Sequence, residues 1–186
     1  MGSHLQHAKQ PVSPMLAGPY GHPFHPMLVT VPIGAWISSL VFDIAAQFVT
    51  PAGFLTQASE WLIAIGVIGA LAAASVGFLD LMTIPTRTRA FRTGLIHMSL
   101  NLAVTVAYLL NFLWRLGSAT GGGRVAIGPL VLSVISVLTL AVSGYLGGKL
   151  AYRYGVRVAD EGTQAEGFVT PEASAPGATQ PADGQR

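Results

Sequence analysis

Apolar residues are concentrated in four long segments that are separated by short, more polar stretches. The segments cover residues 26–48, 60–82, 94–116 and 125–152. Each has at least 20 residues, and a helix that rises about 1.5 Å per residue can then cross a hydrocarbon core of about 30 Å. Because the connections are short, consecutive helices should be antiparallel neighbours. The pattern therefore predicts an all-α integral membrane four-helix bundle.

The two ends of the chain have a different composition. Residues 1–20 are polar and proline-containing, and we expect a flexible N-terminal segment there. They lack a charged stretch followed by a cleavable apolar core, so no cleaved signal peptide is expected. The four-helix domain should extend over residues 21–158. Residues 159–186 are rich in Gly, Pro, Ala, Thr, Glu and Gln, which predicts a disordered tail.

Polar and small residues inside the apolar segments fall on one face of each helix. At about 100° per residue, the positions in each set lie close to one line along the helix. Small residues let helices approach closely and polar ones avoid lipid, so these faces should meet inside the bundle. The sets are Pro32, Trp36, Ser39, Asp43 and Gln47; Gly66, Gly69, Ala73, Gly77 and Asp80; His97, Asn101, Tyr108, Asn111 and Arg115; and Ser136, Thr139, Ser143 and Gly147.

Composition narrows the class of protein further. Hydrophobic residues make up 51% and charged residues only 10%, against about 25% charged in soluble domains. The chain has no cysteine, which excludes disulfides and cysteine-held iron–sulfur clusters within it. Its net charge is only +2, so the expected partner is the lipid bilayer and not nucleic acid; a homo-oligomer is left open. No motif of a hydrolase, phosphate-binding loop or zinc protease is present, and no enzyme of that kind is predicted.

Basic residues lie mainly on one side of the predicted bundle. An even number of spans places both termini on the same side as the second connection. Apart from Arg186 at the end of the tail, that side carries seven basic residues and the other carries two, Arg115 and Arg124. By the positive-inside rule, both termini should be cytoplasmic. The seven are Lys9, Arg87, Arg89, Arg92, Lys149, Arg153 and Arg157.

Two histidines precede the first segment in the stretch Gly-His-Pro-Phe-His-Pro. Proline disfavours the α conformation in the residue before it, so His22 and His25 should be extended or turn-like. Pro26 suits the first position of the helix, because its missing N–H would be unpaired there anyway. Pro32 cannot donate to the carbonyl of Leu28, which predicts a kink or a loosened turn.

Ionisable residues from three segments should meet at the cytoplasmic end. Asp80 lies near the end of the second helix, and His97 lies about one turn inside the third, at the same depth as His22 and His25. A charge in mid-membrane costs at least about 2.5 kcal/mol, so such residues usually have a partner or a role. Histidine and carboxylate ligate transition metals, and two histidines can hold a haem iron from both sides.

One interpretation is therefore a cofactor site. His25 and His97 would be the axial ligands of haem b, or His22, His25, Asp80 and His97 would hold a transition metal. The protein would then be a redox-associated membrane subunit.

A purely structural role for the same residues is the main alternative. His22 and His25 would then cap the first helix and bond to loop carbonyls, and His97 would bond to Asn101 or to a neighbouring helix. Asp80 would pair with Arg87, Arg89 or Arg92. A second alternative is a small transporter that conducts protons or a solute. The sequence does not choose among these.

Asp43 belongs to the opposite end of the bundle. It lies 17 residues after Pro26, or about 25 Å along a helix, and should reach the outer side, where Arg115 also lies. We expect the two to pair. On the scale of polar contacts in membranes, replacing Asp43 by leucine should then cost about 1 kcal/mol.

Several motifs together resemble one known family. They are Gly21 to Val29, Pro32-Ile33-Gly34, Phe42-Asp43, Gly77-Phe78-Leu79-Asp80 and Gly94-Leu95-Ile96-His97 with Asn101. Over about residues 21–152 the chain resembles a domain-of-unknown-function family of small four-helix bacterial membrane proteins. The resemblance implies four spans and the bacterial plasma membrane, but no activity. Relatives in that family are sometimes fused to Rieske-type iron–sulfur domains, which implies redox membrane partners.

Overall fold

The computed structural model describes residues 8–10, 21–117, 123–166 and 168. Four helical spans within this part of the chain are long and apolar enough to cross a membrane. The predicted all-α four-helix arrangement is confirmed. The helices are α1 Phe24–Leu28, α2 Thr30–Ala46, α3 Gly53–Met82, α4 Arg89–Gly117, α5 Ile127–Tyr152 and α6 Glu161–Glu166, with α1 and α2 together forming the first span.

The four spans form a ring in which each packs against two others. α2 lies between α3 and α5, and α4 lies between the same two helices on the other side. Consecutive spans are therefore neighbours, whereas α2 and α4, and α3 and α5, face each other diagonally. The short helix α1 packs on α3.

The first span begins earlier than expected and is interrupted once. Pro23, with ψ 123°, is extended and precedes α1. His25 is the second residue of α1, so the prediction that it is extended is wrong. A proline at position 26 is tolerated because N–H groups of the first turn have no helical partner. The loosening expected at Pro32 is slight: Val29 alone separates α1 from α2, and its backbone stays in the α-helical region, with φ −66° and ψ −17°.

Two spans begin several residues before the predicted boundaries. α3 starts at Gly53 rather than at residue 60, because polar residues of its first turns find partners in the bundle. Thr56 donates to the carbonyl of Gly123 at 2.9 Å, and Ser59 donates to that of Ser39 at 3.1 Å. α4 starts at Arg89, directly after Thr88 accepts a bond from the N–H of Phe91 at 3.1 Å, as an N-cap does.

The chain folds back over the bundle after α5. Gly155 has φ +66°, the left-handed conformation that commonly ends a helix. The N–H of Arg157 then donates to the carbonyl of Ala8 at 3.0 Å, which ties this segment to residues 8–10.

Part of the predicted tail is helical. The carboxylate of Asp160 accepts a bond from the N–H of Thr163 at 3.0 Å and so begins α6; the same bond lowers the pKa of Asp160. Beyond α6, the predicted disorder of the tail stays a prediction. Residues 169–186, like residues 1–7 and 11–20 of the predicted flexible segment, lie outside the described part.

The centre of the bundle is a packed apolar layer. Trp36 and Tyr108, from diagonally opposed helices, stack with ring centroids 4.3 Å apart and planes 9° apart. Ile63 and Val104 pack against them, and none of these four side chains is more than 2% exposed. The predicted inward faces of the four helices are thus the buried ones, and the large apolar residues on the outside are left for lipid.

Candidate functional site

Polar residues are grouped at the two ends of the bundle, on either side of the apolar layer. The "histidine end" comprises His25, Asp80, His97, Ser143 and Arg157. It lies where α1 and α4 begin and α3 and α5 end. The "ion-pair end" lies at the opposite end, around Asp43 and Arg115.

His25 is held against α3 by its Nδ1–Cε1 edge. Nδ1 lies 2.9 Å from the carbonyl oxygen of Ala73. A carbonyl only accepts, so this nitrogen carries the proton and Nε2 has the lone pair. A Cβ added at Gly77 would lie 2.7 Å from Cε1 of the ring. The glycine therefore provides the space in which the imidazole lies.

His97 is held against α5 in the same way. Its Nδ1 lies 2.8 Å from the carbonyl oxygen of Ser143 and 3.0 Å from its Oγ. Nε2 accepts from the side-chain amide of Asn101 at 3.1 Å, as in the structural alternative considered above. A Cβ at Gly147 would lie 3.0 Å from Cε1, so this ring also rests on a glycine.

The two imidazoles meet in the middle of the bundle. Their centroids are 6.3 Å apart and their planes make an angle of 84°. The nitrogen edge of His25 faces α3 and that of His97 faces α5, on opposite sides of the ring of helices. The structure thus brings together the two histidines named as haem ligands, but their nitrogens do not converge on one point.

The donor set does not fit a metal ion in this arrangement. A ligating imidazole nitrogen lies about 2 Å from its metal, and His97 would first have to release Asn101 from Nε2. Among the described residues, no group of three or more His, Cys, Asp or Glu side chains is placed to hold a metal ion. His22 has its Nε2 2.8 Å from the sulfur of Met27.

Asp80 pairs with Arg157, which was not among its predicted partners. Nε of Arg157 is 3.1 Å from the carboxylate, and the side chains are only 7% and 18% exposed. Asp80 is also close enough to His25 to interact with it electrostatically. The pairing of Asp80 with Arg87, Arg89 or Arg92 is wrong, because those arginines are exposed and Arg157 takes their place. The glycine at 155, typical of a helix end, was the one available sign that the chain turns back here.

The ion-pair end contains the salt bridge that the sequence predicts. Arg115 binds the two carboxylate oxygens of Asp43 with separate nitrogens, at 2.9 and 2.6 Å. Its Nε donates to Asn111 at 2.7 Å, and Ser59 accepts another bond at 3.2 Å. Asp43 is fully buried and Arg115 is 5% exposed.

This network reaches the fourth span as well. Asn111 donates to the carbonyl of Pro129 and to the hydroxyl of Ser133, both at 2.9 Å. Gln47 donates to the carbonyl of Val125 at 3.2 Å. The ion-pair end thus joins all four spans through satisfied groups. Ser59 and Ser133 were not predicted as members, although Ser133 lies one turn before Ser136 in the polar stripe of its helix.

One family matches the chain. It is described as "Predicted membrane protein (DUF2231)", and it covers residues 21–160, which include all four spans. The chain therefore belongs to this family. No curated protein and no solved structure matches it.

Proposed function

We propose that this DUF2231 protein is a small accessory subunit of the bacterial plasma membrane in which His25 and His97 together bind and release a proton. The observation that supports the proposal is the contact between the two imidazoles, 6.3 Å apart, with tautomers set by backbone carbonyls. Nε2 of His25 receives no hydrogen bond from any described residue, so its lone pair can accept a proton.

The charges around the pair favour one proton rather than two. An imidazolium at His25 would be stabilised by the carboxylate of Asp80, whereas a second one at His97 would be repelled across 6.3 Å. Arg157 competes for Asp80, and Lys149 on α5 adds positive charge, with Nζ over the ring of Tyr154. Imidazole is the side chain that commonly exchanges protons near neutral pH.

The packed layer limits this exchange to one side. Trp36, Ile63, Val104 and Tyr108 fill the bundle between the two ends. The two polar groups of this layer, Nε1 of Trp36 and the hydroxyl of Tyr108, donate to the backbone carbonyls of Ile63 and Ser133 at 3.4 Å. We therefore favour sensing or buffering on one side over conduction across the membrane.

That side is the cytoplasm in our proposal, on the basis of the seven-to-two distribution of basic residues. Alkaline phosphatase fused after Gly117 should be active in the periplasm, and the enzyme fused after Glu166 should be inactive. The reverse pattern would contradict the orientation. Other membrane proteins, redox proteins among them, are the proposed partners.

Haem b or a transition metal at His25 and His97 is the competing proposal. The short distance between the two imidazoles favours this proposal. Both rings, however, would have to turn so that each Nε2 faces the other, and Asn101 would have to release Nε2 of His97. Such a group would supply redox chemistry. The experiment below is designed to separate the two.

Histidine side chains labelled with ¹⁵N should be followed by NMR in lipid nanodiscs between pH 5 and 9. We expect Nδ1–H tautomers at His25 and His97 at high pH, and one proton taken up by the pair as the pH falls. Asp80→Asn should shift that transition, while the signal of His22 serves as an internal reference.

Two results would contradict the proton-binding proposal. One is that neither ring changes protonation across this range. The other is a Soret band, or a stoichiometric metal by mass spectrometry, that is lost in both His25→Ala and His97→Ala when cells are grown with haem precursors and metals.

A further inference from the structure

Three arginines stand together at the start of α4, near the histidine end. Arg87, Arg89 and Arg92 fall within six residues, and all three are exposed. Arg89 and Arg92, three residues apart, share one face of the first helical turn. The ion pairs among the described residues are Asp43–Arg115 and Asp80–Arg157. The three arginines are therefore not neutralised by a carboxylate of the described chain.

The turn that carries these arginines is ordered by its own hydrogen bonds. Thr83 donates to the carbonyl of Asp80 at 2.7 Å, and Thr88 donates to that of Pro85 at 2.8 Å. Thr88 also caps α4. Arg87 adopts φ +65°, a conformation uncommon for a residue with a side chain. The positive charges are thus presented from a defined turn.

Large exposed apolar side chains lie close to the arginines in sequence, five residues before Arg87 and four residues after Arg92. Met82 is 65% exposed and Ile96 is 53% exposed, on α3 and α4 respectively. Apolar side chains exposed on a membrane span face acyl chains, so the arginines lie at the level of the lipid headgroups. Of the ten basic residues of the chain, eight are arginine, and a guanidinium binds phosphate oxygens in pairs where an ammonium cannot.

We propose that Arg87, Arg89 and Arg92 form a binding surface for the phosphate of an anionic phospholipid, whose acyl chains lie along Met82 and Ile96. The surface does not depend on the histidine site or on which side of the membrane it faces. Each basic residue near an anionic lipid surface contributes about fivefold in affinity, so the three together should account for about 100-fold.

The test uses the full-length protein in detergent and measures binding of phosphatidylglycerol and phosphatidylcholine by native mass spectrometry. We expect tighter binding of phosphatidylglycerol, reduced about 100-fold in the variant R87Q/R89Q/R92Q. Arg124→Gln removes an exposed arginine at the other end of the bundle and is the matched control, for which no loss is expected. The variant R87K/R89K/R92K keeps the charge and should retain part of the preference.

Circular dichroism in detergent establishes that each variant is folded. Equal binding of the two lipids by the wild type would overturn the proposal, as would an unchanged preference in R87Q/R89Q/R92Q. Displacement of phosphatidylglycerol by millimolar inorganic phosphate alone would show an anion site that does not recognise lipid, and would also overturn it.

Discussion

Replacing Asp43 by leucine should destabilise the bundle by about 3 kcal/mol, because it leaves the charge of Arg115 buried without a partner. The guanidinium makes four hydrogen bonds, two of them to Asp43. Only the neutral groups of Asn111 and Ser59 would remain. Breaking a buried ion pair on one side costs about 3–5 kcal/mol. We take the lower end, because the long side chain can reach toward the interface.

The predicted loss of about 3 kcal/mol exceeds the loss of about 1 kcal/mol expected from the sequence. The smaller loss assumes that the pair is an ordinary polar contact in a membrane, which contributes at most about 1.7 kcal/mol. The structure shows a two-pronged pair with Asp43 fully buried. Asp43→Asn should therefore be nearly as costly as Asp43→Leu, since an amide keeps the shape but does not neutralise the guanidinium.

A double-mutant cycle measures the interaction directly. Asp43→Leu, Arg115→Met and the double variant are unfolded reversibly with SDS in mixed micelles, and Arg124→Gln serves as an exposed control at the same end. The double variant should be more stable than the sum of the single losses predicts by about 2 kcal/mol, because it removes both charges together. Single losses below about 1 kcal/mol that simply add would refute the reasoning.

Two further predictions concern packing and the segment after α5. Gly66→Ala should lower the melting temperature markedly, because a Cβ there would overlap the indole of Trp36. Gly34→Ala is the control, because a Cβ at that position would have no atom within 4 Å. Equal melting temperatures of the two variants would contradict this packing. Arg157→Gln should increase hydrogen exchange in residues 153–158, and Asp80→Asn should have the same effect. Unchanged exchange in both variants would show that the salt bridge does not hold the segment.

The inward faces of the helices were predictable because each residue is rotated by about 100° from the one before it, so the position in the sequence determines the side of the helix on which a side chain lies. Asp43 and Arg115 follow from it, since both belong to inward stripes and lie at similar depth. Helix ends follow less well. On a hydropathy scale, Thr56 and Ser59 argue against a membrane helix at their positions. Their hydroxyls, however, bond to carbonyls of other elements, and a calculation over neighbouring residues in the sequence does not include such distant partners.

The histidine site was predictable only in part. Depth along the helices brings His25 and His97 together, but the direction of each nitrogen depends on a carbonyl of a neighbouring helix. Ala73 and Ser143 are 48 and 46 residues away in sequence, and nothing in their identity marks them as acceptors. The partner of Asp80 was missed for a similar reason, because Arg157 reaches it only after the chain has turned back over the bundle.

The two polar ends differ in how completely their groups are bonded, and this difference is the reason why we propose a function at the histidine end. At the ion-pair end, the charge of Arg115 is neutralised and its Nε, Nη1 and Nη2 are all bonded, so the network stabilises the fold and leaves little for a ligand. At the histidine end, Nε2 of His25 receives no hydrogen bond from a described residue, and the carboxylate of Asp80 is bound by Arg157. Under the proton-binding proposal, a proton on His25 would change the competition between His25 and Arg157 for Asp80.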